Sequence, residues 1–157
     1  MIDEERFQEA KYQASKFLRS HPTMALASVS SDLEPQISTV YFVSDEDFNI
    51  FFLTSKKSKK SDNLRSNGKV AFMVGQGPEV ITVQGGGQAT ELNTSEAEKF
   101  YELIKKTALE YSHQWPILHL AKHGYDGFKI TPSWMTYLNM EKGKYPNIAS
   151  EKFYQII

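Results

Sequence analysis

One lysine-rich segment carries the densest set of groups that could bind a ligand. It combines four ammonium groups with four hydroxyls in eight residues, namely Thr54, Ser55, Lys56, Lys57, Ser58, Lys59, Lys60 and Ser61. Lysine supplies compact positive charge, and the free N–H groups at a helix start point donors at an anion. The segment lies between a predicted strand end and a predicted helix start, which is typical of a phosphate site. Composition alone favours a solvated basic turn instead.

The overall composition excludes several functional classes. Eighteen basic and nineteen acidic side chains leave a formal net charge of -1, so no global field favours nucleic acid or an anionic membrane. The sequence has no cysteine, which excludes disulfides, thiolate nucleophiles and iron–sulfur clusters, so redox chemistry would need a bound cofactor. No apolar run approaches the roughly 20 residues of a membrane span, and the first residues are acidic. We therefore expect a mature cytoplasmic protein.

The elements that must position the lysine-rich segment are mostly short strands. Residues rich in Val, Ile, Phe, Tyr and Thr predict strands over 24–30, 36–43, 48–54, 69–74 and 80–84. An apolar stripe predicts a helix before them, with Asp3 as N-cap. A short helix is predicted over 61–67, with Gly68 in the left-handed conformation at its end. The run Gly85 to Gly87 predicts a β-bulge where another backbone comes close.

The second half of the chain predicts one long helical segment and the closing strands. Asn93 and Glu96 have the spacing of a capping box, and strands are predicted over 125–130 and 134–138, on either side of Thr131-Pro132. The tail is formed by residues 139–157, and its apolar end predicts that it docks on the rest of the domain. We interpret residues 1–157 as one domain, mainly β with flanking helices, that has six or seven antiparallel strands. Its predicted parts are an N-terminal helix (1–20), a barrel core (24–92), a helical segment (93–122) and closing strands (125–138).

The lysine-rich segment and its neighbours resemble a known family. Phe52 to Leu64 is similar, without a gap, to a segment of the pyridoxamine 5'-phosphate oxidases and the wider FMN-binding split-barrel family, which reads aromatic-aromatic-Thr, Ser-Arg-Lys and then Leu. Asn67 to Phe72 resembles the family's Asn-Pro-Arg-Val strand entry, and Gly87-Gln88-Ala89 its Gly-x-Ala. The resemblance covers residues 24–92, with a weaker echo at 128–138. It implies an antiparallel split β-barrel and a homodimer with FMN at the subunit interface.

The resemblance also implies which residues contact the flavin. Lys59 and Lys60 would bind its phosphate, with Ser58 in support. Thr82 lies where the family often has a glutamine, and Gln84 on the same strand face could replace it. The full implied set is Ser38, Thr39, Val40, Leu53, Thr54, Ser55, Ser58, Lys59, Lys60, Thr82 and Gln84, in which 38–40 offer backbone groups to the ring edge and Leu53 and Thr54 line the ring or ribityl chain.

Two departures bear on the reaction. Lys59 replaces the arginine of the Ser-Arg-Lys motif, which loses a bidentate phosphate contact but keeps the charge. Leu138 aligns with the family's substrate-side tryptophan, and the arginines that follow it there are missing here. The resemblance thus implies an FMN-dependent oxidoreductase whose small-molecule electron donor or acceptor is not pyridoxamine phosphate.

Three alternatives stay open at this point. The first is a non-catalytic protein that binds, stores or senses flavin, haem or a deazaflavin. The second is nucleic-acid binding through the lysines, which net acidity and only three arginines disfavour. The third is a metal site built from His113, His119 and His123, which we interpret instead as a solvated helix face.

Overall fold

In the part of the chain that the structure describes, six antiparallel strands form a closed barrel with three helices. The computed structural model describes residues 4–75, 81–110, 124–139 and 153–157. In chain order the elements are α1 (Glu4–Ser20), β1 (Thr23–Val29), β2 (Pro35–Ser44), β3 (Ile50–Ser55), α2 (Lys59–Ser66), β4 (Lys69–Val74), β5 (Ile81–Glu91), α3 (Thr94–Glu110), β6 (Tyr125–Asn139) and β7 (Phe153–Gln155).

The barrel closes through β6. The strand order is β3-β2-β1-β4-β5-β6-β7, and β6 also pairs with β3. The first half of β6, Tyr125 to Ile130, pairs with Ser55 to Ile50 of β3, whereas its second half pairs with the short strand β7. Closure of this kind leaves fewer free edges than an open sheet would expose.

Two apolar clusters hold the structure together. The main cluster fills the barrel with inward side chains such as Leu26, Phe52 and Phe72, and α1 contributes Ala10, Ala14 and Leu18 to it. A smaller cluster, made of Val43, Phe51, Phe100 and Ile104, lies between the outer barrel wall and α3. Burial of each large apolar side chain stabilises the fold by roughly 1.5–3 kcal/mol.

The two predicted closing strands are one continuous strand, β6, with a bulge. Its register with β5 passes from Gly87–Pro132 to Gly86–Trp134, which leaves Ser133 as an extra residue. Before the bulge Phe128 is buried, and after it Met135 is buried, so inward positions change from even to odd numbers. The alternation of inward and outward side chains therefore breaks at the bulge, although the strand is continuous. The bulge predicted at Gly85 to Gly87 is confirmed, and β5 continues past it to Glu91.

Two local predictions are wrong. Gly68 does not close α2 in the left-handed conformation; instead Asn67 ends the helix in an extended conformation, with φ -149° and ψ 102°. Gly68 is required for space, because a Cβ there would lie 2.4 Å from the carbonyl oxygen of Ala89. Phe48 was predicted to begin the third strand but is a turn residue with φ 63°, and β3 begins at Ile50.

Two further predictions that fall on described residues are confirmed, namely the capping box at the start of α3 and the docking of the chain's last residues. The Asn93 and Glu96 side chains each accept the other residue's backbone N–H, at 2.9 and 3.1 Å, as a capping box requires. Ile156 is 1% exposed, and its N–H donates to the carbonyl of Met135 at 2.8 Å, so the tail end docks on the barrel.

Some predictions fall outside the described residues, namely the Asp3 cap, Val80, the helical residues after 110 and most of the tail. Of the helices that can be described, none is long and apolar enough to cross a membrane.

The bulge makes a prediction about Gly87. A Cβ at this position would lie 2.1 Å from the carbonyl oxygen of Thr131 and 2.8 Å from Cα of Pro132, and both are backbone atoms. We expect Gly87→Ala to lower the free energy of unfolding by about 2 kcal/mol in chemical denaturation, because the backbone must move. Gly127→Ala is the matched control, since its Cβ would meet side-chain atoms, Cδ1 of Leu92 at 2.7 Å and Cδ1 of Phe100 at 3.7 Å, instead of backbone. Equal losses in the two variants would contradict this account of the bulge.

Candidate functional site

The lysine-rich segment forms a tight turn that leads from β3 into α2. Ser58 is the N-cap of α2, and its Oγ accepts the N–H of Ser61 at 3.1 Å. The same hydroxyl donates to the carbonyl oxygen of Ser55 at 2.8 Å and lies 2.9 Å from Oγ1 of Thr54. Thr54 is 3% exposed at the end of the barrel interior. These hydrogen bonds fix the start of the helix relative to β3.

The first turn of α2 offers an anion both charge and directed donors. The N–H groups of Lys59 and Lys60 open the helix and have no carbonyl partner within it. Lys59 is exposed and Lys60 is half-buried. Burial lowers the pKa of the Lys60 amine, because desolvation disfavours its charged form. A bound anion would relieve this cost.

The four lysines are not equivalent. Nζ of Lys56 lies 3.6 Å from Oδ1 of Asp126, so a carboxylate already offsets part of its charge. Within the described part of the chain, Lys57, Lys59 and Lys60 form no ion pair. The turn therefore keeps a net positive charge beside the capped helix start.

A split between two strands lies next to this turn. The register of β2 with β3 ends at Phe42 and Phe52, although β2 runs on to Pro35 and β3 to Ser55. The two strands therefore diverge, and the edge of β2 over residues 38–40 faces the gap. This places the predicted residues 38–40 on one side of the split and the end of β3 on the other.

The predicted side chains near the split point in different directions. Val40 is buried in the barrel interior, and Thr39 is exposed on the outer face. Leu53 also lies outside, packed against the cluster beneath α3. It lines a groove of about 270 Å³ whose other lining residues are Glu91, Leu92, Ala97, Phe100, Tyr101, Ile104, Tyr125, Asp126 and Gly127. The groove offers apolar contact beside the lysine-rich turn.

Thr82 and Gln84 are not brought to this place within one chain. The register joins Gln84 to Met73, Met73 to Ala25, and Ala25 to Thr39, in one row across four strands. Three strand spacings put Gln84 about 14 Å from Thr39 along the outer face. Both predicted residues of β5 are half-buried there. One chain thus presents the predicted set as two separate groups.

Residues that the sequence analysis missed tie α2 to the barrel. Arg65 donates to both carboxylate oxygens of Glu91 at 3.2 Å and forms a short contact with Asp126. Asn63 donates from the opposite side to Ser28 and Gln36, at 3.3 and 3.2 Å. These partners are 26 to 61 residues away in the sequence, so no local pattern identifies them. The one local signal is the spacing of Ser61, Leu64 and Arg65, which places them on one face of α2 and indicates that this face packs against the barrel.

The fold defines a split β-barrel with a lysine-rich turn beside the split, and the sequence profile of one family matches the chain. The profile, described as pyridoxamine 5'-phosphate oxidase, matches residues 10–139. Because the match covers most of the chain, the protein belongs to the pyridoxamine 5'-phosphate oxidase family. No curated protein sequence matches the chain significantly.

Solved structures share the fold at low sequence identity. General stress protein 26 of Bacillus anthracis is 20% identical with a TM-score of 0.61, and the match covers 81% of this chain and 92% of that one. HutZ, the heme storage protein of Vibrio cholerae, is 18% identical with a TM-score of 0.62, over 78% of this chain and 89% of HutZ. ChuZ of Campylobacter jejuni is 15% identical with a TM-score of 0.68, and the match covers 95% of this chain and 59% of ChuZ.

The capping role of Ser58 can be tested directly. Ser58→Ala removes the acceptor of the Ser61 N–H and the donor to Ser55, so we expect a loss of about 1 kcal/mol in the free energy of unfolding. Urea denaturation measures it. Ser66→Ala is the control, because the Ser66 hydroxyl donates to Asn63 only at the other end of α2. A Ser58→Ala variant as stable as the wild type would show that the turn is held without this cap.

Proposed function

We propose that this protein is an FMN-dependent oxidoreductase whose flavin phosphate binds at the start of α2. The observation that carries the proposal is the capped helix start with Lys59 and Lys60 in its first turn and the strand split beside it. Family membership supports the same ligand class, because the matched profile is that of the pyridoxamine 5'-phosphate oxidases.

The donor set fits a phosphate dianion. Two ammonium groups and two free N–H groups of the first turn can share its charge, and Ser58 keeps that turn in place. A bound anion would stabilise the charged form of the half-buried Lys60 most, since it offsets the desolvation of that amine. Lys56 contributes less, because Asp126 already accompanies it.

The split supports a place for the flavin ring. A ring edge carries hydrogen-bonding groups, and the backbone of residues 38–40 offers donors and acceptors toward the gap. When bound, the flavin supplies the electron transfer through its isoalloxazine ring. The chain's own task is then to bind and orient the cofactor and to limit the access of water and substrate. The substrate is a small molecule other than pyridoxamine phosphate, as Leu138 and the missing arginines indicate.

We also propose that two copies complete the site. One row on the outer face runs from Ile37 through Ala27, Ala71 and Gly86 to Trp134, across five strands and about 19 Å. The middle of this row consists of small residues, while Ile37 is 72% and Trp134 41% exposed at its ends. Exposed large apolar side chains beside small residues are typical of an interface. Gln84 lies in the next row, so a partner's Thr82 and Gln84 would approach the flavin that one chain alone leaves half enclosed.

The phosphate assignment makes a prediction for the lysines. Lys59→Ala together with Lys60→Ala should weaken FMN binding at least tenfold and leave riboflavin binding within about twofold, because only FMN has the phosphate. Fluorescence titration of apoprotein with each ligand measures both constants. The control pair is Lys105→Ala with Lys106→Ala, two adjacent lysines on α3. Unchanged FMN affinity in the first pair would remove the phosphate assignment.

The dimer makes a separate prediction. Trp134→Asp should convert a dimer to a monomer in sedimentation velocity and weaken FMN retention, because it puts a charge into the outer row. Leu109→Asp on α3 is the control, since Leu109 is 90% exposed and is not a member of that row. A monomeric wild type would contradict the shared site.

Haem storage is the second candidate function, because HutZ of similar fold is a heme storage protein. The absorption spectrum and mass of the ligand released from protein purified without added cofactor separate the two. Flavin bands that a reduced nicotinamide bleaches support the oxidoreductase, and an intense Soret band supports haem.

A further inference from the structure

We propose that Asn63 is a positioning residue that holds α2 where the flavin phosphate needs it. The inference rests on the proposed function, because it concerns the affinity of the phosphate site. Asn63 lies one turn after Lys59 and Lys60 and is directed at the barrel instead of at the turn.

The geometry makes Asn63 a bridge between α2 and two strands. Its Nδ2 donates to Oγ of Ser28 on β1 at 3.3 Å and to Oε1 of Gln36 on β2 at 3.2 Å. Asn63 is 8% exposed and Ser28 1%. Buried amides without such partners are costly, so the helix is held in the position where both bonds form.

A helix of eight residues depends on contacts of this kind. Isolated helices so short are unstable in water, and tertiary contacts must therefore fix α2. Leu64 packs into the main cluster, and Arg65 binds Glu91 and Asp126 on the β5–β6 side. Asn63 supplies the polar link on the β1–β2 side, which borders the split.

The two ends of the proposed flavin site respond differently to the loss of this link. Residues 36–41 of β2 keep their register with β1, so the strand edge that faces the ring stays in place. α2 has no strand register to hold it and would shift. Asn63 therefore controls the phosphate end and not the ring end.

The experiment measures FMN and riboflavin affinity in the same apoprotein. For Asn63→Ala we expect FMN binding about tenfold weaker and riboflavin binding changed by less than twofold. Asn67→Ala is the matched control, because Oδ1 of Asn67 accepts the local N–H of Lys69, two residues away, at 3.1 Å. This variant should change neither affinity. A variant that merely lost stability would lower both affinities together.

Gln36→Ala removes the same hydrogen bond from the β2 side. It provides a second test of the proposal if Asn63→Ala folds poorly. It should reproduce a smaller loss of FMN affinity, and the double variant should bind FMN no worse than Asn63→Ala alone, because the two changes break one link. Unchanged FMN affinity in Asn63→Ala, or a parallel fall in riboflavin affinity, would overturn the role of Asn63. If the wild type binds FMN no tighter than riboflavin, the proposed phosphate site fails instead, and the inference fails with it.

Discussion

The divergence of β2 and β3 is the constraint on which the rest of the structure depends. β3 turns away from β2 after Phe52 because its other edge pairs with β6 to close the barrel. The opening that results must be covered, since the barrel interior is apolar. α2 covers it with Leu64 and Asn63, and its own start then lies beside the gap. Closure of the barrel on one side thus places the lysine-rich turn beside an unpaired strand edge.

β6 also adapts to barrel closure, because the set of its residues that point inward changes from even-numbered to odd-numbered at the bulge. Its first half faces β3 and its second half faces β7, and the extra residue Ser133 lets both halves keep apolar side chains inside. The glycines of β5 opposite the bulge accept the close approach of the backbone. Gly86 in addition leaves room for the ring of Trp134 on the outer face, because a Cβ there would lie 2.6 Å from Nε1. The bulge therefore shapes both the core and the proposed dimer face.

The sequence predicted those features that local rules determine. Strand periodicity and the Asn93 capping box both depend on residues close together in the chain. The continuity of β6 was missed because a bulge and a strand end give the same break in alternation. Asn63, Arg65 and Asp126 were missed because their partners are set by strand pairing, and no local pattern encodes which strand lies beside a helix. The proposed ligand class came from the family resemblance, because the residue pattern alone left it open.

In the proposed phosphate site, the contacts that hold α2 would allow lysine to serve at position 59, where the motif that the segment resembles has arginine. An arginine at position 59 would bring a planar fork of donors, whereas lysine brings one compact charge. The directed donors can come instead from the N–H groups of the first turn, provided that α2 is held still. Arg65 fixes it on one side through Glu91 and Asp126, and Asn63 fixes it on the other. In the proposed site, precision would therefore come from the way in which the helix is held, and the lysines would need to contribute only charge.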